Sequence, residues 1–418
     1  MVNVYSKYYF SFHPKITKKE KITEAMNLQV EPPEKNKRKK KKKTKNSSPP
    51  QPSSPSFSLL PDDIAVNCLA RISRSHYPNL SIVSKSFRSL VSSTELYAAR
   101  SHLGSTEQCL YVCLSDKSYQ FPQWFTLWTN PNRNLPRKKK KTIGQLLVPI
   151  PPSDFPSESE STVVVGSEIY VIGGPIDGAP SSAVRILDCR SHTWRDAPSM
   201  IVPRKHALAC VYEGRIYVMG SCKGLEEESS SWAEVFDTKT QTWQSLPDPG
   251  PEIRNCFLHR IAEIEGKIHL WNSSIKTYAY EPIQDKWECS EGMIENFPRS
   301  ECVMENVWYI YRVRLCQWAV KDGSWKNVKG LDSLREIYRR NGGSSGNTTK
   351  FVSCGGKLLL IWEGYMKHNP NNRKKIWCAE IVVEKVDEDE VWGNVEWVGV
   401  VQSVPTSCQL LHCLVVSV

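Results

Sequence analysis

The chain has 418 residues, 40% hydrophobic and 24% charged, which is enough for two or three domains with a sizeable core. No run reaches the ~18–20 apolar residues of a membrane helix, and Met1–Val30 carries lysines throughout without an apolar core segment, so neither an integral membrane protein nor a secreted one is expected. The formal charge of +11 is local: residues 1–55 hold 14 Lys/Arg and 4 Asp/Glu, whereas the rest holds 41 and 40, which argues against a global basic field for nucleic acid.

Residues 1–55 read as a disordered tail. Lys37–Lys43 is an unbroken cationic run, and Ser47–Ser56 is Pro and Ser apart from Gln51; neither stretch has apolar surface to bury. The cationic run is a candidate nuclear-import segment, so the nucleus is the favoured location and the cytoplasm the alternative. Nothing before Met26 resembles a folded segment, and Met26 is a candidate start, with residues 1–25 an extension.

Residues 56–103 read as a small all-helical module. Leu60-Pro61-Asp62-Asp63-Ile64 has the form of a helix start, with Pro at the first turn and acids at the positive helix end. Ile64, Cys68, Leu69 and Ile72 follow at helical spacing. After a break at Ser73–Pro78, a second helix is predicted over Asn79–Ser92, with Leu80, Val83, Phe87, Leu90 and Val91 on one stripe. A third is predicted over Thr94–His102. A unit of about 45 residues seldom buries enough area to stand alone, so it is expected to rest on a partner or on the next domain.

Residues 104–418 read as all-β. A recurring unit consists of an apolar strand, a tight turn with Gly and a second apolar strand: Val163–Gly173, Leu208–Gly220, Ile261–Trp271, Cys302–Tyr311 (with Asn306 for Gly) and Phe351–Ile361. The second strands open at Ile169, Ile216, Ile268, Trp308 and Leu358, in steps of 47, 52, 40 and 50 residues. That period fits a four-stranded propeller blade. A second hairpin follows in each unit, in which an apolar residue and an acid precede a Trp. Leu187-Asp188 leads to Trp194, Phe236-Asp237 to Trp243 and Tyr280-Glu281 to Trp287; Trp318-Ala319 leads to Trp325, with the acid lost. These four Trp are expected to pack between blades. In the fifth unit Trp377, Trp392 and Trp397 compete for the role, and Met366–Lys375 reads as a basic loop insertion.

Strand-like pieces are left over at both ends. Cys109–Leu114, Trp124–Trp128 and Leu146–Ile150 supply three strands, and Gln409–Val418 supplies one. Together they make a sixth, composite blade with the last strand innermost, which removes exposed sheet edges. The 14 Cys are scattered, mostly inside apolar runs and without Cys-x-x-Cys; they read as reduced, buried thiols of an intracellular protein.

The sequence carries no Gly-x-Gly-x-x-Gly, Gly-x-x-x-x-Gly-Lys-Ser/Thr, His-Glu-x-x-His or Gly-x-Ser-x-Gly, and no two His stand at metal-ligand spacing on one strand. No catalytic residue, cofactor or metal is expected. Tyr212 and Cys210, the types that a copper-radical propeller uses, lie on a core strand. The loops Pro175–Ala183, Cys222–Ser231 and Tyr365–Lys375 leave equivalent strands and are expected at one end of the propeller. They bring Glu226, Glu227 and Glu228 as an acidic rim, and Lys367, Arg373, Lys374 and Lys375 as basic groups, to a candidate target face. Arg137–Lys141 reads as an exposed basic loop, a second candidate for an acidic target patch.

Leu60-Pro61-Asp62-Asp63-Ile64, Ile72, Tyr77-Pro78-x-Leu80 and the run Val83–Ser92 resemble an F-box. The Gly173-Gly174 doublet and the Asp-to-Trp hairpins resemble kelch repeats. The order of the two is similar to that in the plant F-box/kelch-repeat proteins, over about residues 57–418. The resemblance implies a short helical F-box followed by a six-bladed kelch-type propeller. It implies a non-catalytic, substrate-recruiting subunit of a Skp-cullin-RING ubiquitin ligase. Leu60, Pro61, Ile64, Leu80, Val83 and Phe87 match the motif that docks, or supports docking of, the Skp-type adaptor, and the propeller would hold a target protein. The alternative is a propeller scaffold, in nucleus or cytoplasm, without ligase duty. Neither reading calls for membrane or nucleic acid as a partner.

Overall fold

The computed structural model describes residues 60–418 apart from 117–120, 130–144, 154–160, 177, 222–230, 257, 273–275, 292–300, 306, 313–314, 320–323, 344–347, 366–371 and 388. The Lys37–Lys43 run, Met26, the Arg137–Lys141 loop, Glu226, Glu227, Glu228 and Lys367 lie outside the described residues. Phe57–Val418 form one compact unit.

Four helices come first: α1 (Asp62–Ala70), α2 (Tyr77–Ser81) after a 3-10 turn at Arg74–His76, α3 (Lys85–Leu90) and α4 (Thr94–His102). Pro61 stands just before α1, and Asp62 and Asp63 occupy its first turn. The single helix expected over Asn79–Ser92 is two. Ser84 is extended, and its Oγ accepts the Phe87 N–H at 3.1 Å, so it caps a new helix and Ile82–Ser84 becomes a turn. Ser93 caps α4 in the same way. The break takes Val83 off the predicted stripe. Leu80, Phe87 and Leu90 stay packed against a small core of Leu69, Ala70, Tyr77, Val91 and Leu96.

The rest of the chain forms six four-stranded antiparallel sheets. β1 (Gln108–Ser115), β2 (Gln123–Thr129) and β3 (Gln145–Pro149) precede five sequential blades. Blade one is β4 (Thr162–Val165), β5 (Glu168–Ile172), β6 (Val184–Asp188) and β7 (Thr193–Ala197). Blade two is β8 (Leu208–Tyr212), β9 (Arg215–Met219), β10 (Ala233–Asp237) and β11 (Thr242–Ser245). The short α5 (Pro251–Arg254) leads to blade three, β12 (Leu258–Ile264), β13 (Lys267–Asn272), β14 (Lys276–Glu281) and β15 (Lys286–Glu291). Blade four is β16 (Glu301–Met304), β17 (Val307–Arg312), β18 (Leu315–Ala319) and β19 (Trp325–Asn327). Then α6 (Asp332–Arg340) precedes blade five, β20 (Thr349–Cys354), β21 (Lys357–Gly364), β22 (Arg373–Lys385) and β23 (Val391–Pro405). The chain ends in β24 (Gln409–Ser417).

First strands of neighbouring blades touch: β4 with β8, β8 with β12, β16 with β20, β20 with β24, and β24 with β4. They line the axis. β24 pairs with β1 from Ser417↔Gln108 to Gln409↔Ser115, giving the order β24-β1-β2-β3. The sixth blade is therefore composite and its inner strand comes last in the chain. Val418 and Glu107 complete it by exchanging backbone hydrogen bonds of 2.8 and 2.9 Å.

The core lies between blades. Tyr170, Ile172, Ile186, Ile216, Val218 and Phe236 fill the gap between blades one and two. Leu359, Ile361 and Cys378 meet Leu110, Val112 and Leu114 between blade five and the composite blade.

Candidate functional site

Two surfaces stand out, one on the helical module and one on the ring. On the module, Leu60 is 40% exposed, Ile64 44%, Ile82 75% and Val83 66%, and Pro61 is exposed beside them. Four large apolar side chains therefore stand in solvent on about 45 residues. Of the six residues singled out from sequence, Leu60, Pro61, Ile64 and Val83 are exposed. Leu80 and Phe87 are half-buried against the module's own core. Ile82 was not anticipated; its signal was the β-branched pair Ile82-Val83 between Ser81 and Ser84, a poor helix segment.

The module is tied to the ring by polar contacts around Arg74. The Arg74 N–H donates to Glu107 Oε2 at 2.8 Å and its guanidinium to the Cys189 carbonyl at 3.2 Å, over the face of Tyr97. Arg100 is buried, pairs with Glu107 at 3.2 Å and donates to the Ile72 carbonyl and Tyr77 hydroxyl. Trp128 Nε1 donates to the Ser75 carbonyl. Tyr111 Oη reaches the Cys189 carbonyl and His192 Nε2, each at 2.9 Å. Burial, with the Arg74 charge, pushes the His192 imidazole down to about 4.

These contacts fix which end of the ring the module occupies. Strands alternate in direction, so the turns joining strands one to two and three to four of each blade lie at one end. The two-to-three loops and the blade-to-blade connections lie at the other. Glu107 precedes β1 at the first end, and Cys189–His192 is the β6–β7 turn of that same end. Gly173, Ser221 and Tyr365, which follow β5, β9 and β21 where the two-to-three loops leave the blades, are at the opposite end.

Buried ion pairs hold the stems of two of these loops. Arg204 and Glu234 are both fully buried. All five guanidinium N–H groups have acceptors: Glu234 Oε1 for two, and the carbonyls of Gly220, Trp232 and Ser231. Glu234 Oε2 accepts the Ile201 N–H. The Arg204 backbone also bridges Ser181 and Gly174. A Cβ on Gly173, whose φ is +59°, would lie 2.8 Å from Met200 and 3.1 Å from the Arg204 carbonyl; the Gly doublet lets that connection close against the strand. In blade five Lys374 Nζ is paired with Glu363 Oε2 at 2.5 Å, with both side chains buried. Glu363 Oε1 accepts the Leu410 N–H of β24. Burial alone would lower the Lys374 ammonium pKa, yet the bonds to Glu363 and Tyr365 hold it above the ordinary lysine value. This corrects the expectation of a loop over Met366–Lys375. Arg373, Lys374 and Lys375 begin β22, and Lys374 serves the interior. Arg373 remains exposed, with its guanidinium against Ser403.

The Trp positions show the repeat geometry. Nε1 of Trp194, Trp243 and Trp287 donates to the carbonyls of Pro151, Pro198 and Pro247, at 3.1, 2.8 and 2.9 Å. Each acceptor lies just after the outer strand of the preceding blade. The three rings pack on the clusters between the same pairs of blades. In each, the Trp pairs with the apolar residue named above, such as Leu187↔Trp194. Blade four differs: Trp325 pairs with Ala319, and Trp318 pairs with Lys326. The strands pair one residue out of the register of the other repeats, and a one-residue slip reverses faces. Trp318 therefore joins Tyr309 and Tyr311 in the cluster with blade five. In blade five Trp377 stacks on Trp362, Trp397 packs toward the composite blade, and Trp392 is exposed beside Lys329.

Among the described residues no group of three His, Cys, Asp or Glu is placed to hold a metal. Burial pushes the Cys189, Cys302, Cys354 and Cys413 thiols up to about 12, far from a thiolate nucleophile.

A six-bladed propeller joined to a small helical module with exposed apolar side chains defines the class of protein. Comparison with known proteins agrees. Residues 57–98 match the F-box domain and residues 124–402 match the FKB95, Kelch-repeats domain. The chain is 65% identical over 405 residues to F-box/kelch-repeat protein At4g19870 of Arabidopsis thaliana, covering 94% of this chain and 100% of the relative. It is 62% identical over 403 residues to At4g19865, with 94% and 100% covered, and 43% over 381 residues to At4g39550, with 87% and 94% covered, both F-box/kelch-repeat proteins of the same plant. The chain belongs to the F-box/kelch-repeat family.

Proposed function

We propose that the protein is a substrate-recruiting subunit of a Skp-cullin-RING ubiquitin ligase, with the F-box docking a Skp-type adaptor and the propeller holding a target protein. The observation that carries this reading is the exposed set Leu60, Ile64, Ile82 and Val83, set on a module braced against the ring. Apolar surface of this kind is stabilised by a partner that covers it. The opposed arrangement supports it too, because adaptor and target would not compete for one end of the ring. Catalysis would belong to the assembled ligase and not to this chain. Nuclear import driven by Lys37–Lys43 is part of the proposal, with cytoplasmic residence as the alternative.

Co-expression with a Skp-type adaptor tests the reading. The two should co-purify, and Ile64→Asp/Val83→Asp, or Leu60→Ala/Pro61→Ala, should abolish co-purification while leaving the melting midpoint of the ring in place. Failure of the unaltered chain to co-purify would instead favour a propeller scaffold without ligase duty.

A further inference from the structure

We propose that the blade-five rim of the free end, formed by α6 and the start of β22, receives an Asp/Glu-rich segment of the target protein. The proposal deepens the reading of target capture and rests on it. α6 fills a blade-to-blade connection. The corresponding connection after β7 has no helix, and that after β11 has only the four residues of α5. Leu334 and Tyr338 bury α6 in the cluster between blades four and five. Arg335, Arg339 and Arg340 are exposed on its other side. Glu336 serves Arg339 and Arg340 together, and their hydrogen bonds pull its carboxyl down to about 2. One carboxylate against two guanidinium groups leaves one positive charge uncompensated. Arg335 makes no ion pair among the described residues.

The helix exit carries this charge to β22. Gly342 has φ +75°, and a Cβ there would strike the Tyr365 carbonyl, so the end of α6 lies on the Tyr365 backbone. The Tyr365 ring is 47% exposed, with the Lys374 ammonium 4.9 Å from its centroid. Arg373, which opens β22, bonds among the described residues only the hydroxyl and carbonyl of Ser403, both neutral. The two elements therefore bring separate guanidinium groups and one exposed aromatic to the same end of the ring, with Asp332 and Glu336 on the same helix as three of them. Forked guanidinium groups suit carboxylates through paired hydrogen bonds. A nucleic acid would need a continuous basic field, which interspersed acids and a net charge near zero outside residues 1–55 do not provide.

The test is fluorescence anisotropy of a labelled Glu/Asp-rich peptide with the full-length protein bound to its adaptor. Its Gln/Asn counterpart and a single-stranded oligonucleotide are the controls. The acidic peptide should bind in a salt-sensitive manner, and Arg335→Glu/Arg373→Glu should weaken it by about tenfold or more. Arg335→Gln/Arg373→Gln should weaken it by a smaller factor and serves if the reversal disturbs folding. Adaptor co-purification should be unchanged in both. Leu60→Ala/Pro61→Ala protein, tested without adaptor, should still bind the peptide, so loss of ligase docking and loss of the rim site are separable. Equal binding of acidic and amide peptides, equal binding by the glutamine variant, or preference for the oligonucleotide would overturn the proposal.

Discussion

Single charged residues in the interior do more to shape this molecule than their number suggests. Arg204 has no exposed surface, and its five donors close the stem formed by Gly220 after β9 and Ser231, Trp232 and Glu234 at the start of β10. Removing one partner of such a pair leaves the other buried and uncompensated, which costs more than the pair itself contributes. Arg204→Ala is expected to destabilise the propeller by about 3–5 kcal/mol, read as a fall in the urea midpoint at unchanged slope. A change below about 1 kcal/mol, the range of ordinary surface substitutions, would mean that the stem is held by other contacts. Lys374 with Glu363 does the same where β21 meets β22, and Glu363 also reaches β24.

Among the elements, β24 decides whether the ring is closed. Its side chains enter the clusters on both sides of the composite blade: Leu410 and Cys413 on one, Val416 and Val418 on the other. Without it β1 would present an unpaired inner edge to neighbouring blades, and such edges recruit other chains. Deleting Leu410–Val418 should give aggregated or unfolded protein on size-exclusion chromatography, although only nine residues are lost. A soluble monomer with the parent melting point would show that β1 to β3 close the ring alone. At the other end of the molecule, the Ser84 cap matters for a different reason. By splitting α2 from α3 it leaves Ile82 and Val83 exposed, and the proposed adaptor contact rests on them.

The whole molecule is organised around Glu107. Its backbone pairs with Val418, where the ring closes, and its carboxylate holds Arg74 and Arg100 of the F-box. Ring closure and F-box attachment therefore share one residue. The same junction should respond to pH. His192 faces the Arg74 charge, the Tyr111 hydroxyl and Asp188. Its folded pKa of about 4 lies below the ordinary 6.5, so between those values the unfolded chain binds a proton that the folded chain refuses. Stability contributed by the neutral ring is complete above 6.5 and is lost as pH falls toward 4. Urea midpoints measured at pH 7 and pH 5 should fall further for the parent than for His192→Asn, since Asn tolerates the φ of +56° found there. Parallel losses in both proteins would place the acid sensitivity elsewhere.

Local pattern was enough for much of this architecture. Each inner hairpin was legible because alternating apolar residues and a turn Gly are short-range signals, and the composite blade followed from the strands left over. Leu60, Ile64 and Val83 were legible as a motif, and Thr94–His102 as a helix. Tertiary structure decided the rest. Ile82 stands exposed in a turn because Ser84 caps α3 rather than letting one helix run through. Trp318 and Trp325 keep the spacing of the other repeats, yet their strands pair one residue out of that register, which changes the face of Trp318. Lys374 looked like its neighbours Arg373 and Lys375 in sequence, but the pleat sent it inward to Glu363. Arg74 and Arg204 carried no local mark at all. Periodicity is set by neighbours along the chain and can be read there, whereas the fate of a charge depends on partners such as Glu107 and Glu234, 33 and 30 residues away, that only the closed ring brings within reach.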